Sequence, residues 1–298
     1  MSMGAADVIP GVSGGTVAFI TGIYEELIFS IRAIDLNALQ LLGSFQLKAC
    51  WKKINGNFLV CILAGIVTSL LTLSKVMTLL LERNPISIWS FFFGLILVSS
   101  PLILRDIKQW NFITSLTFIA GVALAYFVTV ISPINTPNNL LFVFIAGAVA
   151  VCAIILPGIS LALVLLLLGK YEYIVTAIFN FNIPVILVFT AGCIIGLTLF
   201  SNFLGWMLTR FRFPTLALLA GVMIGSLNKV WPWKEVIAFR IDPDGIQVPA
   251  FDKNLWPGMY FEVTGRDPQL FYAILFAAVG VFLVVAIEKT TAFLKSKN

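Results

Sequence analysis

Histidine is absent from this chain of 298 residues. Its absence removes the most common general base, the most common zinc ligand and the usual phosphorylated nucleophile of phosphatases. Charged residues are also scarce, at 11%, whereas hydrophobic residues make up 60% and the mean hydropathy is +1.02. This composition lies outside the range of soluble globular domains and predicts an integral membrane protein.

Cysteine is infrequent as well, and its four positions follow no regular spacing. Cys61, Cys152 and Cys193 lie in apolar runs, where cysteine acts as a small hydrophobic residue. We therefore expect no disulfide, no metal site and no cofactor. The N-terminus has neither a basic region nor an Ala-x-Ala cleavage site, so no removable signal peptide is predicted.

Six apolar runs are long enough to cross a hydrocarbon core of roughly 30 Å, which takes about 20 helical residues. They comprise residues 58–81, 86–104, 111–131, 184–208, 214–230 and 270–287. Two further apolar regions, 8–31 and 140–179, are interrupted by the Pro-Gly pairs Pro10-Gly11 and Pro157-Gly158. A Pro-Gly pair breaks a helix, and in lipid the freed backbone groups need protein or water as partners. The breaks predict re-entrant hairpins or discontinuous helices, with an ordinary Pro-kinked span as the alternative.

The two interrupted regions are related by an internal repeat. At an offset of 147, "IPGVSGGTVAFITGIYEELI" and "LPGISLALVLLLLGKYEYIV" share seven of 20 positions, including Pro-Gly-x-Ser and Gly-x-Tyr-Glu. At an offset of 127 the resemblance continues through Gly65/Gly192, Arg83/Arg210 and "GLILVS"/"GVMIGS". The chain is therefore predicted to consist of two copies, residues 1–139 and 140–298.

Basic residues set the predicted orientation. If both interrupted regions (1–31 and 140–179) are re-entrant, most Lys and Arg residues between spans fall on one side, which is then cytoplasmic. Three spans separate the two hairpins, so the second copy is inverted, as in many secondary transporters. The predicted fold is an all-α polytopic membrane protein with an inverted-topology repeat, each half a re-entrant helical hairpin plus three transmembrane helices. An amphipathic segment, 32–57, is expected on the membrane surface, and the outer loop 231–267 carries Trp and Tyr residues as interfacial anchors.

Ser13, Gly14, Gly15 and Thr16 follow the first break and are predicted to precede a helix from Val17 to Phe29. A helix N-terminus offers unpaired amides and partial positive charge, glycines admit a ligand to the backbone, and hydroxyls add donors. These residues predict an anion site. The second copy keeps Ser160 but has Leu161 and Ala162 in place of the glycines, so the two sites should differ. Close helix packing is the alternative role for the glycines.

Charged residues inside the membrane are the other candidates, because each costs on the order of 3 kcal/mol at the bilayer centre. Lys75 lies within the span 58–81 and needs a carboxylate or an anionic ligand. The acids of the interrupted segments could carry a proton, coordinate a cation or pair with basic residues; they are Asp7, Glu25 and Glu172. Arg83 and Arg210 hold equivalent repeat positions, where snorkelling and capture of a lipid headgroup are both open.

The motifs resemble a known family. "GAADVIPGVSGGTVAFITGIYEELI" from Gly4, "ILPGIS" from Ile155, "LGKYEYI" from Leu168 and "GSLNKVWPW" from Gly225 are similar to the bacterial polyprenyl-phosphate transporter family, PopT, over nearly the whole chain. The resemblance implies a flippase that returns undecaprenyl phosphate, the carrier lipid of cell-wall synthesis, to the inner leaflet of the bacterial cytoplasmic membrane. The family usually has Gly-Ser after the serine of its second motif, where this chain has Leu161 and Ala162.

The physical chemistry of a lipid monophosphate fits this expectation. Its headgroup carries about 1.5 to 2 negative charges, which hydrocarbon does not admit unaided. We expect the phosphate to be held by Ser13 to Thr16, with Lys75 neutralising it. Inward movement of an anion opposes the membrane potential, so coupling to protons or sodium through Asp7, Glu25 or Glu172 is expected.

Two other classes of function were weighed. A phosphatase or glycosyltransferase for the same lipid is disfavoured, because the chain lacks histidine, an aqueous catalytic domain and a clustered pair of acids. A proton- or sodium-coupled carrier of a small anion fits the inverted repeat equally well. The expected partners are the lipid bilayer, the polyprenyl phosphate and a coupling ion; a homo-oligomer is left open, and nucleic acid is not expected.

Overall fold

A computed structural model describes residues 2–7, 13–131, 134, 136–241 and 247–297. Within these ranges the chain is mostly helical, which confirms the predicted class in its main feature. The break residues Pro10 and Gly11 lie outside the described residues.

The first half of the chain contains eight helices in the described residues. They are α1 (Ser2–Asp7), α2 (Gly14–Ile20), α3 (Tyr24–Arg32), α4 (Leu36–Gly43), α5 (Leu47–Lys53), α6 (Gly56–Arg83), α7 (Pro85–Arg105) and α8 (Phe112–Val130).

The second half follows a similar order, but in the described residues it has no counterparts of α4 and α5 and adds a β-ribbon and α15. Its elements are α9 (Leu140–Ala150), α10 (Cys152–Ile155), α11 (Leu161–Leu167), α12 (Tyr171–Phe179), α13 (Ile183–Arg210), α14 (Arg212–Ser226), β1 (Lys234–Ile241), β2 (Gln247–Asn254), α15 (Pro257–Thr264) and α16 (Leu270–Lys297).

Helix lengths follow the sequence repeat closely. The pairs α2/α11, α3/α12 and α6/α13 have seven, nine and 28 residues respectively in both members. The chain bends by 120° between α2 and α3 and by 111° between α11 and α12. Gly22 and Gly169 lie at these bends with φ of 71° and 63°, a left-handed conformation that side chains other than glycine rarely adopt. The shared Gly-x-Tyr-Glu motif therefore marks a second bend in each copy.

These bends correct the predicted helix from Val17 to Phe29. The structure instead starts α2 at Gly14 and ends it at Ile20, so Gly14, Gly15 and Thr16 form its first turn. The prediction missed the bend because one glycine in an apolar run does not by itself end a helix.

The centre of the molecule is built from α7 and α14, which are equivalent in the repeat. Ten of the 21 residues of α7 are buried, as are ten of the 15 residues of α14. Gly94 of α7 lies against the backbone of α16, and Gly221 of α14 lies against the backbone of α8. Any side chain at these glycines would collide with main-chain atoms, so the helices approach as closely as small residues allow.

Among the described residues, five helices are long and apolar enough to cross a membrane, or up to seven if each bent pair counts as one span. The chain is therefore a multi-pass membrane protein. The span predicted at 214–230 is a 15-residue helix that ends at Ser226, about 22 Å long at 1.5 Å per residue and hence shorter than a full crossing. The inverted topology, the re-entrant depth of the hairpins and the division at residue 139 stay predictions.

The two predicted surface regions have definite structures. Residues 32–57 form the short helices α4 and α5, joined by an ion pair between Lys53 and Asp35 at 2.5 Å. The outer loop contains the antiparallel pair β1 and β2 followed by α15, which the sequence did not predict.

Candidate functional site

The first turn of α2 is the centre of the candidate site. Ser13 precedes the helix with extended backbone angles, and its Oγ accepts a hydrogen bond of 3.1 Å from the amide of Gly15. Serine favours this capping position because its oxygen satisfies an amide that has no partner within the helix. Ser13 and Thr16 are both almost completely buried.

A carboxylate lies at the same helix end. Oδ1 of Asp7, the last residue of α1, accepts a hydrogen bond of 2.6 Å from the amide of Gly14. A Cβ at position 14 would lie 2.7 Å from Oδ2 of Asp7, so glycine leaves room for the carboxylate in this position. The amides that the sequence predicted as free for a phosphate thus have partners in this structure, and one partner is an anion.

The two halves of the chain meet at Thr16. Its Oγ1 accepts a buried hydrogen bond of 2.9 Å from the amide of Gly158, in the break between α10 and α11. Gly158 has a φ of +87° and packs directly on Ser226 at the end of α14. Gly15 packs on the carbonyl oxygen of Ile155, which a Cβ would approach to 2.7 Å. The first turn of α2 therefore contacts the break between α10 and α11 at main-chain distance.

The corresponding turn of the second copy, at the start of α11, lacks glycines. Its helix is interrupted between Ile155 and Leu161, a stretch that contains the buried Pro157. Ser160 caps α11 by accepting a hydrogen bond of 3.2 Å from the amide of Leu163. The side chains of Leu161 and Ala162 occupy the first turn, where the first copy has glycines. The two turns therefore differ in the side chains they carry, and the predicted difference in anion binding stays a prediction.

The predicted coupling acids lie in three different surroundings. Glu25 of α3 forms a two-pronged ion pair with Arg212 at the start of α14, with N–O distances of 2.8 and 3.2 Å. Glu172 is exposed in the first turn of α12. Of the three acids, only Asp7 touches the first turn of α2 in the described part of the chain.

The predicted basic residues are not gathered around that turn. Arg83 and Arg210 are exposed at the C-terminal ends of α6 and α13, where a cation is favoured by the helix dipole. Lys75 belongs to α6, but its side chain lies outside the described residues. Its predicted role in neutralising a phosphate stays a prediction.

Comparisons with known proteins identify the family. Residues 3–248 match the model of the undecaprenyl phosphate translocase-like family. The chain belongs to this family. It is 45% identical over 289 residues to a polyprenyl-phosphate transporter from Vibrio cholerae, covering 97% of this chain and 94% of the relative. A polyprenyl-phosphate transporter from Staphylococcus aureus is 32% identical over 252 residues, covering 78% of this chain and 83% of the relative. No solved structure matches the chain.

Membership of the translocase-like family confirms the resemblance drawn from the four motifs. The names of the family and of its two relatives indicate a transporter and not an enzyme, which confirms the choice against a phosphatase or glycosyltransferase. In the described residues, no group of three or more Cys, Asp or Glu side chains could hold a metal ion.

Sequence reasoning missed two buried polar residues in this translocase-like protein, Lys170 and Tyr24. Lys170 is fully buried and donates hydrogen bonds to the carbonyl oxygen of Thr136 at 2.7 Å and to Oδ1 of Asn138 at 2.6 Å. The hydroxyl of Tyr24 is buried without a hydrogen-bond partner among the described residues. A repeat comparison could have singled out Lys170, because the equivalent residue of the first copy is the apolar Ile23.

Proposed function

We propose that this protein moves undecaprenyl phosphate from the outer to the inner leaflet of the bacterial cytoplasmic membrane. Transport in this direction would recycle the carrier lipid for peptidoglycan synthesis. Membership of the translocase-like family and the names of two relatives support a polyprenyl phosphate as the substrate.

One contact carries the proposal for the site: the carboxylate of Asp7 on the amide of Gly14. A carboxylate and a phosphate monoester are both oxyanions that accept hydrogen bonds from amides at a helix N-terminus. Asp7 therefore stands where a phosphate oxygen would bind when the substrate is present. In the proposed cycle the phosphate displaces Asp7 and takes the amide of Gly14, with the hydroxyls of Ser13 and Thr16 as further donors.

The contact between the halves links phosphate binding at this site to the conformation of the second half. Thr16 is held by the amide of Gly158, so a phosphate that draws its hydroxyl away frees a buried amide in the other half. An unpaired buried amide is costly, and the second half must then move to satisfy it. Substrate binding is in this way linked to rocking of one half against the other, while the prenyl tail stays in the bilayer.

Charge balance favours Asp7 as the coupling group over Glu25 and Glu172. A phosphate and an ionised Asp7 repel each other at the same helix end, so phosphate binding favours the protonated acid. Each phosphate would then enter with a proton, which offsets part of the work against an inside-negative potential. Lys75 is proposed to neutralise the remaining charge, and Arg83 and Arg210 to attract headgroups at the two membrane faces.

The experiment that tests this function is leaflet-resolved translocation of undecaprenyl phosphate in proteoliposomes. Wild type is compared with Ser13→Ala, Lys75→Ala and the control Ser44→Ala, whose exposed serine ends α4 far along the chain from the site. Uptake of inorganic phosphate is measured in the same vesicles.

We expect lipid movement in wild type and in Ser44→Ala, and a loss of at least about tenfold in the two site variants, the typical effect of removing a charge-assisted hydrogen bond. Phosphate uptake without lipid movement would instead make the protein a carrier of small anions. Full lipid transport by both site variants would reject the first turn of α2 as the binding site.

A further inference from the structure

A cationic group of side chains lies in and just before the outer loop. Two lysines share one acid: Nζ of Lys229 lies 2.7 Å from Oδ1 of Asp252, and Nζ of Lys234 lies 3.1 Å from Oδ2. The side chains are 18%, 10% and 22% exposed for Lys229, Lys234 and Asp252. The group therefore holds one uncompensated positive charge in a largely dehydrated setting, where electrostatic attraction is strong.

The two lysines differ in how many of their ammonium N–H donors are used by the described residues. The ammonium of Lys234 donates 2.5 Å to the carbonyl oxygen of Lys229, pairs with Asp252 and lies 4.0 Å from the ring centroid of Trp89. The ammonium of Lys229 makes one hydrogen bond among the described residues, to Asp252. Since an ammonium has three donors, Lys229 retains two for a further acceptor.

An apolar groove of about 190 Å³ adjoins this charged group. The charged group and the groove are neighbours along α7, because Trp89 faces Lys234 while the next residue, Ser90, lines the groove. The hydroxyl of Ser90 is buried and has no partner in the described part of the chain. The other lining residues are apolar and come from α7, the outer loop and α16: Phe93, Trp231, Pro232, Trp233, Ala273, Ile274 and Ala277.

The groove lies where a membrane lipid could enter it from the side. Ser90 and Ala277 are five and seven residues from the starts of α7 and α16, or about 8 and 10 Å along each helix. Trp231 is stacked edge-on against Phe93 and Trp256, and Trp256 is mostly exposed. Tryptophans at this depth are typical of the membrane interface. Charge and groove together fit an amphiphile with an anionic head and an apolar chain.

We propose that Lys229, Lys234 and the groove beside Trp231 form an outer-leaflet capture site for a prenyl monophosphate. The phosphate accepts hydrogen bonds from Lys229, Lys234 holds Asp252 in place and adds charge, and the first part of the prenyl chain fills the groove. This proposal rests on the proposed function, for which it supplies the first binding step.

A line of contacts joins this site to the transport site. Ser226 lies three residues before Lys229 and packs on Gly158, whose amide is bound to Thr16. A ligand at Lys229 is therefore one short segment away from the junction of the two halves. Capture at the outer site would raise the local concentration of substrate near the first turn of α2.

Calorimetric binding of farnesyl phosphate to the full chain in nanodiscs tests the capture site directly, with farnesol and inorganic phosphate as comparators. The variants are Lys229→Gln, Asp252→Asn and the matched control Lys253→Gln, an exposed lysine next to Asp252 on β2. We expect Lys229→Gln to weaken binding about tenfold, Asp252→Asn to strengthen it, because the competing carboxylate is lost, and Lys253→Gln to leave it unchanged. A gain of affinity is not a result that misfolding can produce.

Equal affinity in all variants would overturn the proposal and leave the three residues as a structural ion-pair cluster. If inorganic phosphate bound as tightly as farnesyl phosphate, the groove would not be part of the site. If farnesol bound as tightly, the charge of the lysines would not contribute to binding. Translocation separates this proposal from the proposed function: Lys229→Gln should raise the half-saturating lipid concentration, Asp252→Asn should lower it, and both should keep the maximal rate. If wild type moves no lipid, the proposed function fails, while the binding experiment still decides whether the outer site exists.

Discussion

The hydroxyl of Thr16 accepts a hydrogen bond of 2.9 Å from the amide of Gly158, a residue 142 positions further along the chain. Both groups are buried; Thr16 lies in the first turn of α2 and Gly158 in the break between α10 and α11. Broken helices leave backbone groups without partners, and here a side chain of the first half satisfies such a group in the second. The junction of the breaks is therefore a structural bond as well as the edge of the proposed phosphate site.

Thr16→Val should destabilise this junction. Valine matches the shape of threonine but cannot accept the hydrogen bond, so the amide of Gly158 loses its partner at a cost of about 1–3 kcal/mol. Thr16→Ser keeps the oxygen and is the control. Thermal unfolding in detergent is the measurement, and equal stability of the Val and Ser variants would show that the hydrogen bond contributes nothing.

Gly15→Ala should push the first turn of α2 away from the end of α10 by steric overlap. The new methyl group would lie 2.7 Å from the carbonyl oxygen of Ile155, and relief requires movement of main chain, with an expected loss of about 1–3 kcal/mol of stability. Gly43→Ala is the matched control, because Gly43 is an exposed glycine of α4 with open space around it. Its stability should change by less than about 0.5 kcal/mol. Identical unfolding temperatures for both variants would contradict the close approach.

Much of the fold was predictable because transmembrane helices appear in the sequence as long apolar runs. Five predicted spans correspond to helices of 19 residues or more, and the predicted break at Pro157 falls between two helices. The bend at Gly22 was missed, since a single glycine is compatible with a continuous helix. The ribbon of β1 and β2 was missed because its two strands stabilise each other across the chain and lack a strict alternation of polar and apolar residues.

The candidate site was predictable in composition but not in geometry. Ser13 to Thr16 were singled out by their place after a break, yet the contact of Asp7 with Gly14 crosses that break and follows no helical spacing. Glu25 was expected to serve coupling or pair with basic residues such as Arg83 and Arg210, whereas its partner is Arg212, 187 positions away. Contacts between distant segments depend on how helices pack, which one sequence does not encode in its periodicity.

Asp7→Asn should remove the proton that accompanies substrate. Asparagine still accepts a hydrogen bond from Gly14, so the turn is kept, but the side chain no longer titrates. Calorimetry of farnesyl phosphate in two buffers of different ionisation enthalpy measures the protons taken up on binding. Wild type should take up about one more proton than Asp7→Asn, because phosphate and the ionised acid exclude each other. Equal proton uptake would assign coupling to another group, and Glu172→Gln provides the comparison.

The ion pair of Glu25 with Arg212 should contribute little to stability. Both side chains are substantially exposed, and such pairs are worth about 0.2–1 kcal/mol even in good geometry. A double-mutant cycle of Glu25→Gln and Arg212→Gln in thermal unfolding measures this coupling. If transport falls sharply in both single variants while stability hardly changes, the pair acts in the conformational cycle and not in folding. Parallel losses of both quantities would make it a structural tie between α3 and α14.

Capture of the prenyl phosphate should weaken as the external pH rises through about 8. Burial lowers the pKa of Lys234 to about 8, although Asp252 opposes the shift, and Lys229 adds to it by repulsion. Burial also acts to raise the pKa of Asp252, but the two lysines outweigh it and hold that pKa below its usual value, so the carboxylate stays ionised across this range.

Below pH 8 the three groups carry one net positive charge; above it Lys234 is neutral and the excess disappears. The phosphate itself is already mostly doubly charged at pH 7 and does not oppose this trend. Farnesyl phosphate affinity should therefore fall between pH 7 and 9 in wild type, and it should stay constant in Lys234→Arg, because arginine remains charged throughout. The same fall in both proteins would place the titrating group elsewhere.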